Sequence, residues 1–165
     1  VTTVLHEPKL VILDEPFSNL DFPRKIELRE KLFRYVKQNN ISLVISTHEL
    51  QDIIPWLDEI IVLQNGKIVQ KGNPEEAFKN PYNSYVAKLF GEVNIFGESE
   101  MQDFQISKFS YYPKEIKISE NGFEAEVLES RFAGNHYWNK VRAKNKEIIL
   151  YSDEKLNGTI AVSFG

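Results

Sequence analysis

The sequence predicts an α/β fold in its first part and a small all-β barrel in its last. Three observations carry this. Leu10-Val11-Ile12-Leu13 is a continuous apolar run that ends in two adjacent carboxylates, Asp14 and Glu15. Ile41-Ser42-Leu43-Val44-Ile45 is a second such run, leading into Ser46-Thr47-His48-Glu49. Unbroken apolar runs suit strands buried on both faces of a parallel sheet. Beyond residue 105 the pattern changes to short alternating segments punctuated by Asn121-Gly122, Gly134-Asn135 and Asn157-Gly158. That spacing suits a small barrel or sandwich.

In chain order, residues 1–6 read as the end of a helix. Glu7-Pro8-Lys9 breaks it, because the residue before proline disfavours the α region. The strand at 10–13 follows. Asp21 is a good N-cap and Pro23 is tolerated in a first turn, so a helix is expected from Phe22 to about Lys37. Leu28, Leu32, Tyr35 and Val36 form its apolar stripe, and Glu27/Lys31 and Glu30/Arg34 are i,i+4 pairs. Asn39-Asn40 ends it, and residues 41–45 form the next strand. A short helix at 49–56 is disturbed by Pro55. Residues 59–64 and 67–71 flank Asn65-Gly66, the strongest short hairpin signal. Asn73 and Pro74 start a small helix. Another spans 82–90, closed by Gly91. Residues 92–103 are acidic and polar and read as part of a linker. Five strands are then expected at 114–119, 123–132, 136–143, 147–151 and 159–164. Phe123, Val127, Phe132, Val141, Ile149, Ile160 and Val162 would supply much of their core. The domain division is thus 1–91, a linker at 92–105, and 106–165.

Composition sets the outer bounds. The chain has 165 residues, 42% hydrophobic and 27% charged, as expected of a globular protein. With no cysteine it holds neither a disulfide nor a thiolate zinc site. No apolar run approaches the ~20 residues that span a bilayer. Residues 1–105 carry 11 basic and 16 acidic groups, and residues 106–165 carry 9 and 8. Neither part has the concentrated basic face of a nucleic-acid binder.

The chemistry gathers at the strand ends. In open α/β sheets ligands bind beyond the carboxyl ends of the strands. A single carboxylate there, Asp14, suits Mg²⁺, which takes oxygen ligands and keeps several waters. The next side chain points the other way, so Glu15 can face a water and act as its general base. His48 arrives at the same edge from the second strand. Each residue has a plainer reading. Asp14 and Glu15 can cap the following structure, His48 can be structural, and Asp21 can be a cap and nothing more. His6 and His136 have no companion ligands. Tyr111-Tyr112 and Tyr137-Trp138 could stack bases, as OB-like barrels do, but barrel packing is the plainer role. Ser46-Thr47 has no base–orienter arrangement that would make a nucleophile.

Taken in order, the strand with Asp14-Glu15-Pro16, then Ser18-Asn19-Leu20-Asp21, then helix, strand and Ser46-Thr47-His48-Glu49, resembles the second half of the ATPase domain of an ABC transporter. The matching features are its Walker B strand, D-loop and switch histidine. The resemblance implies a partial parallel sheet of the P-loop-NTPase type. Glu15 and His48 would be the catalytic residues. Asp14 would hold Mg²⁺ through water, and Asp14, Ser18 and Asp21 would border ATP. No Gly-x-x-x-x-Gly-Lys-Ser/Thr loop occurs in the sequence. The chain is therefore expected to be a C-terminal piece that is inactive alone and needs the P-loop half to use ATP and Mg²⁺. The P-loop strand of such domains lies between the counterparts of 41–45 and 59–64, so those two strands are expected to lack their shared neighbour.

Gly91-Glu92-Val93-Asn94-Ile95-Phe96-Gly97, Tyr112-Pro113-Lys114-Glu115-Ile116 and Gly134 resemble the TOBE domain, the OB-like module of several bacterial importer ATPases. Tyr112 departs from that pattern, which usually has arginine there. Together the resemblances imply a bacterial importer subunit, cytoplasmic and peripheral at the inner face of the membrane. Its partners would be a second ATPase subunit, head to tail, and integral permease subunits. They leave open a small regulatory ligand at the TOBE-like domain, and imply no nucleic acid. Iron, polyamines, sugars and molybdate are all solutes of such importers. Two other readings compete: a regulatory or dimerisation module without activity of its own, and a soluble ABC ATPase outside transport.

Overall fold

A computed structural model describes residues 8–165. The helix end expected over residues 1–6, with His6, lies outside them. Strand β1 (Leu10–Asp14) pairs in parallel with β2 (Ser42–Ser46), placing Asp14 opposite Ser46. Between them runs helix α1 (Phe22–Gln38), capped by the Asp21 carboxylate, which accepts from the Arg24 N–H at 3.0 Å. The Glu27–Lys31 pair forms as expected at 2.5 Å, while Glu30 and Arg34 do not pair.

This parallel sheet is narrower than expected. Its strands are not buried on both faces: Ile12 is 70% exposed, and Leu10 and Val44 are about half exposed. The third expected strand is β3 (Ile60–Gln64), and it does not join β2. It pairs antiparallel with β4 (Lys67–Gly72) in a sheet of its own. Both β2 and β3 therefore keep one open edge among the described residues. Asn65 and Gly66 both take positive φ, 51° and 73°, as the two-residue turn of this hairpin requires. Residues 49–56 form two 3₁₀ turns, Leu50–Asp52 and Ile54–Trp56, where one helix was expected. Pro55 lacks the N–H that a continuous helix would use.

Helices α2 (Pro74–Lys79) and α3 (Ser84–Leu89) start at Asn73 and Asn83, whose side chains accept from backbone N–H groups. Ile60, Val62, Ala77, Val86 and Phe90 make a core with Tyr112. The Tyr112 ring stacks on Phe78 at 4.2 Å, and its hydroxyl donates to the Ala87 carbonyl at 3.0 Å. The residue that departs from the TOBE pattern thus packs into the first part of the chain. Burial pushes its hydroxyl pKa up.

The stretch expected to be a linker is folded. It holds β5 (Asn94–Ile95) and α4 (Glu98–Phe104), with Phe96 and Phe104 each 2% exposed. β5 pairs with β6 (Ser110–Tyr111). The polar composition of 92–103 concealed two aromatic anchors, which form a core with Tyr111, Ile116, Val141, Ile148, Leu150 and Val162.

The last part is a four-stranded antiparallel sheet in the order β10-β7-β8-β9. The strands are β7 (Ile116–Phe132), β8 (Tyr137–Ala143), β9 (Lys146–Ser152) and β10 (Thr159–Phe164). It is an open sheet rather than the expected closed barrel, with β9 and β10 at its edges. On the β9 edge the Asn94 side chain takes the place of a strand. It donates to the Ile149 carbonyl at 2.8 Å and accepts from the Ile149 N–H at 2.7 Å.

Asn121-Gly122 is not a turn between strands but lies inside β7. Residues 119–123 bulge out where Ala161 and Val162 oppose Glu124 and Ile118. A Cβ on Gly122 would stand 2.3 Å from the Val162 carbonyl oxygen, so glycine here permits backbone contact. Of the expected core, Val141 and Val162 are fully buried, and Phe123, Val127 and Ile160 pack at its margin. Two expectations fail. Phe132 sits at the end of β7 beside Tyr137 and is 69% exposed. Ile149 lies on the opposite face from its buried neighbours Ile148 and Leu150.

Candidate functional site

The parallel register of β1 and β2 brings the two strand ends together. The Ser46 hydroxyl donates to Asp14 Oδ1, fixing one side of that carboxylate. Sequence reasoning did not assign Ser46 this contact; its place directly across the ladder from Asp14 was the available signal.

Glu15 follows with φ at 44°, in the left-handed region that a non-glycine residue enters at a cost on the order of 1 kcal/mol. Such strain persists only where several contacts over-determine it, and it concentrates at functional sites. The Glu15 N–H donates to the Ser46 carbonyl at 3.0 Å, and its own carbonyl accepts from the Ser18 hydroxyl at 3.0 Å. Its Oε1 accepts from the His48 backbone N–H at 3.1 Å and lies 2.6 Å from His48 Nδ1. Its Oε2 is buried and has no hydrogen-bond partner among the described residues. The backbone turn thus directs one carboxylate oxygen to histidine and buries the other.

The hydrogen bond to Glu15, then its charge, raises the His48 pKa above the ordinary value. The imidazole is 71% exposed, so it can meet a ligand from solvent. Asp14, Glu15, Ser18 and His48 are brought to one place. Asp21 is not joined to them by any contact: its carboxylate is occupied by the α1 cap and by Arg24 at 3.6 Å.

Among the described residues no group of three His, Asp or Glu side chains gathers as a metal cage. The donor set is one oxygen-bearing carboxylate, Asp14, open on the side away from Ser46. That fits Mg²⁺ held largely by water and phosphate, and does not fit a metal held by protein ligands alone.

The other candidates resolve as packing. Tyr111 and Tyr112 are buried, and so are no stacking platform. The Trp138 indole N–H donates to Glu92 at 2.8 Å, and His136 lies against the Tyr151 ring at 4.0 Å.

The chain is 34% identical, over 73% of its length, to the spermidine/putrescine import ATP-binding protein PotA of Clostridioides difficile (strain 630), of which the match covers 34%. PotA of Clostridium novyi (strain NT) is 30% identical over 92% of the chain and 50% of that protein. The match thus spans between a third and a half of these curated relatives. Among solved structures, cbiO1 of Clostridium perfringens, described as part of the ABC transporter complex cbiONQ, aligns with a TM-score of 0.42 and 33% identity, over 46% of this chain and 30% of that one. No family model matches the chain.

Proposed function

Since the chain belongs with the C-terminal regions of ABC-transporter ATP-binding subunits, we propose that it supplies the hydrolytic half of an importer's ATP site. The observation that carries this reading is the single Glu15 oxygen shared by the ring and backbone of His48. Two groups with opposite acid–base character meet there, at the carboxyl end of parallel strands.

In this reading Asp14 holds Mg²⁺ through water, its orientation fixed by Ser46. The bound ion supplies charge neutralisation at the phosphate oxygens. Glu15 orients the attacking water and takes its proton. His48, whose pKa the hydrogen bond to Glu15 raises, donates toward the terminal phosphate and stabilises its developing charge. Ser18 and Asp21 border the nucleotide at the turn leading into α1.

The phosphate grip must come from a P-loop, which this sequence does not contain. The chain is accordingly the C-terminal part of a longer subunit and is inactive by itself. That subunit works at the inner face of the membrane, paired with a second ATPase subunit and with permease subunits. Residues 106–165 act as a regulatory or contact module, of TOBE type.

Spermidine and putrescine, the solutes in the relatives' names, are the first to test. The intact subunit, reconstituted with its permease in vesicles, should drive ATP-dependent uptake of one of them. Uptake that Glu15→Gln leaves untouched would contradict the reading.

A further inference from the structure

The exposed His48 ring is not held by burial, so something else must set its position. The residue after it is clamped. Lys25 Nζ lies 2.6 Å from Glu49 Oε2 and 2.9 Å from Asp52 Oδ2. The Lys25 side chain is 13% exposed, while the Glu49 and Asp52 side chains keep 37% and 29% of their surface in solvent. Hydrogen bonds to Glu49 and then Asp52 push its pKa up, and the ammonium stays charged. Arg29 stands four residues on, on the same helix face. It reaches Asp52 Oδ1 only at 3.9 Å and lies over the Trp56 ring.

These contacts close a ring through the site. The Glu15 carbonyl binds Ser18. The turn continues to Asp21, which caps α1, and α1 carries Lys25. Lys25 holds Glu49, whose neighbour His48 returns to the Glu15 carboxylate. We infer that Lys25 is a positioning residue: by clamping Glu49 and Asp52 to α1 it fixes the distance between His48 and Glu15. The inference rests on Glu15 and His48 being the hydrolytic pair.

The physical argument is that the clamp needs both charges: neutralising Glu49 loosens its hold on the ammonium, and losing the ammonium releases both carboxylates. Without the ammonium, Glu49 and Asp52 face one another, and only Asp52 keeps a cationic neighbour, at the longer Arg29 contact. Like charges so placed repel, and the segment carrying His48 would move off α1. Misplacement of a reacting group by about 1 Å can cost up to about 10²-fold in rate.

The test is steady-state ATP hydrolysis by the intact subunit carrying Lys25→Met, Lys25→Arg, Glu49→Gln or Glu15→Gln, with Mg-ATP binding measured on each. The expected result is a kcat about tenfold lower for Lys25→Met and Glu49→Gln, with KM for ATP within about twofold of wild type. Lys25→Arg should recover most of the rate. A kcat within about twofold of wild type in both charge-removing variants would overturn the inference. So would a loss of turnover matched by an equal loss of nucleotide binding, which would mark the clamp as structural only. If Lys25→Met does not fold, the nearly isosteric Glu49→Gln decides on the same criteria. Wild-type turnover in Glu15→Gln would remove the underlying reading itself. An inactive Glu15→Gln beside a normal Lys25→Met would remove only the positioning role.

Discussion

Glu15 Oε1 receives both the backbone N–H of His48, at 3.1 Å, and its ring Nδ1, at 2.6 Å. One carboxylate oxygen therefore contacts the histidine at both its backbone and its ring.

This contact sets the histidine's titration. A raised folded-state pKa means the charged pair stabilises the fold below the ordinary histidine value of 6.5, and that contribution is lost as pH rises through the raised value. Glu15→Gln should bring the His48 pKa back down toward its ordinary value. An NMR titration of the His48 ring carbon-bound proton measures it. An unchanged midpoint would show that the pair does not form.

Asp21 is used by the fold whatever else it does. Asp21→Ala removes the acceptor of the Arg24 N–H and should cost about 1 kcal/mol. Asp21→Asn, which can still cap, should cost less. Urea unfolding of the two variants compares them. Equal losses would mean that the charge, not the cap, is what matters.

Asn94 offers a sharper stability test. Its amide holds both backbone groups of Ile149 and donates to the Tyr111 carbonyl at 3.1 Å. Asn94→Ala leaves these groups without partners and should destabilise by about 1–3 kcal/mol. Thermal unfolding followed by circular dichroism reads this. A change under about 0.5 kcal/mol would show that water replaces the amide at the β9 edge.

How far the sequence foretold this molecule depends on the distance over which each signal acts. Local signals held. Asp21 as a cap, Asn65-Gly66 as a hairpin turn and Asn73 as a cap each depend on neighbours within about four positions. For the same reason the ends of two apolar runs suffice to place Asp14, Glu15 and His48 at one edge. What failed depends on distant partners. The stretch 92–105 reads as a linker because its composition is polar, yet Phe96 and Phe104 find a core supplied by residues 111–164. Asn121-Gly122 reads as a turn, yet Gly122 serves a backbone approach to Val162, 40 positions away. Ile149 and Phe132 are apolar in alternating segments, but the sheet's register and edges leave them outside the core. Lys25 gave no signal at all, because its partners lie 24 and 27 residues further on.

The 165-residue chain on its own should bind Mg-ATP no tighter than the millimolar range. Its sequence contains no Gly-x-x-x-x-Gly-Lys-Ser/Thr loop, the element that supplies a backbone cradle and a lysine for phosphates. Isothermal titration is the check, and sub-millimolar affinity would mean that another part of the chain grips the nucleotide.

The most direct test of the proposed role is ATP hydrolysis by the intact subunit with Glu15→Gln, with His48→Ala beside it. Each should lower turnover by about 10²-fold or more. Mg-ATP binding should persist in Glu15→Gln, because the change removes the base without touching Asp14 or Ser46. Near-normal turnover in Glu15→Gln would contradict the assignment of the Glu15–His48 pair as the hydrolytic centre.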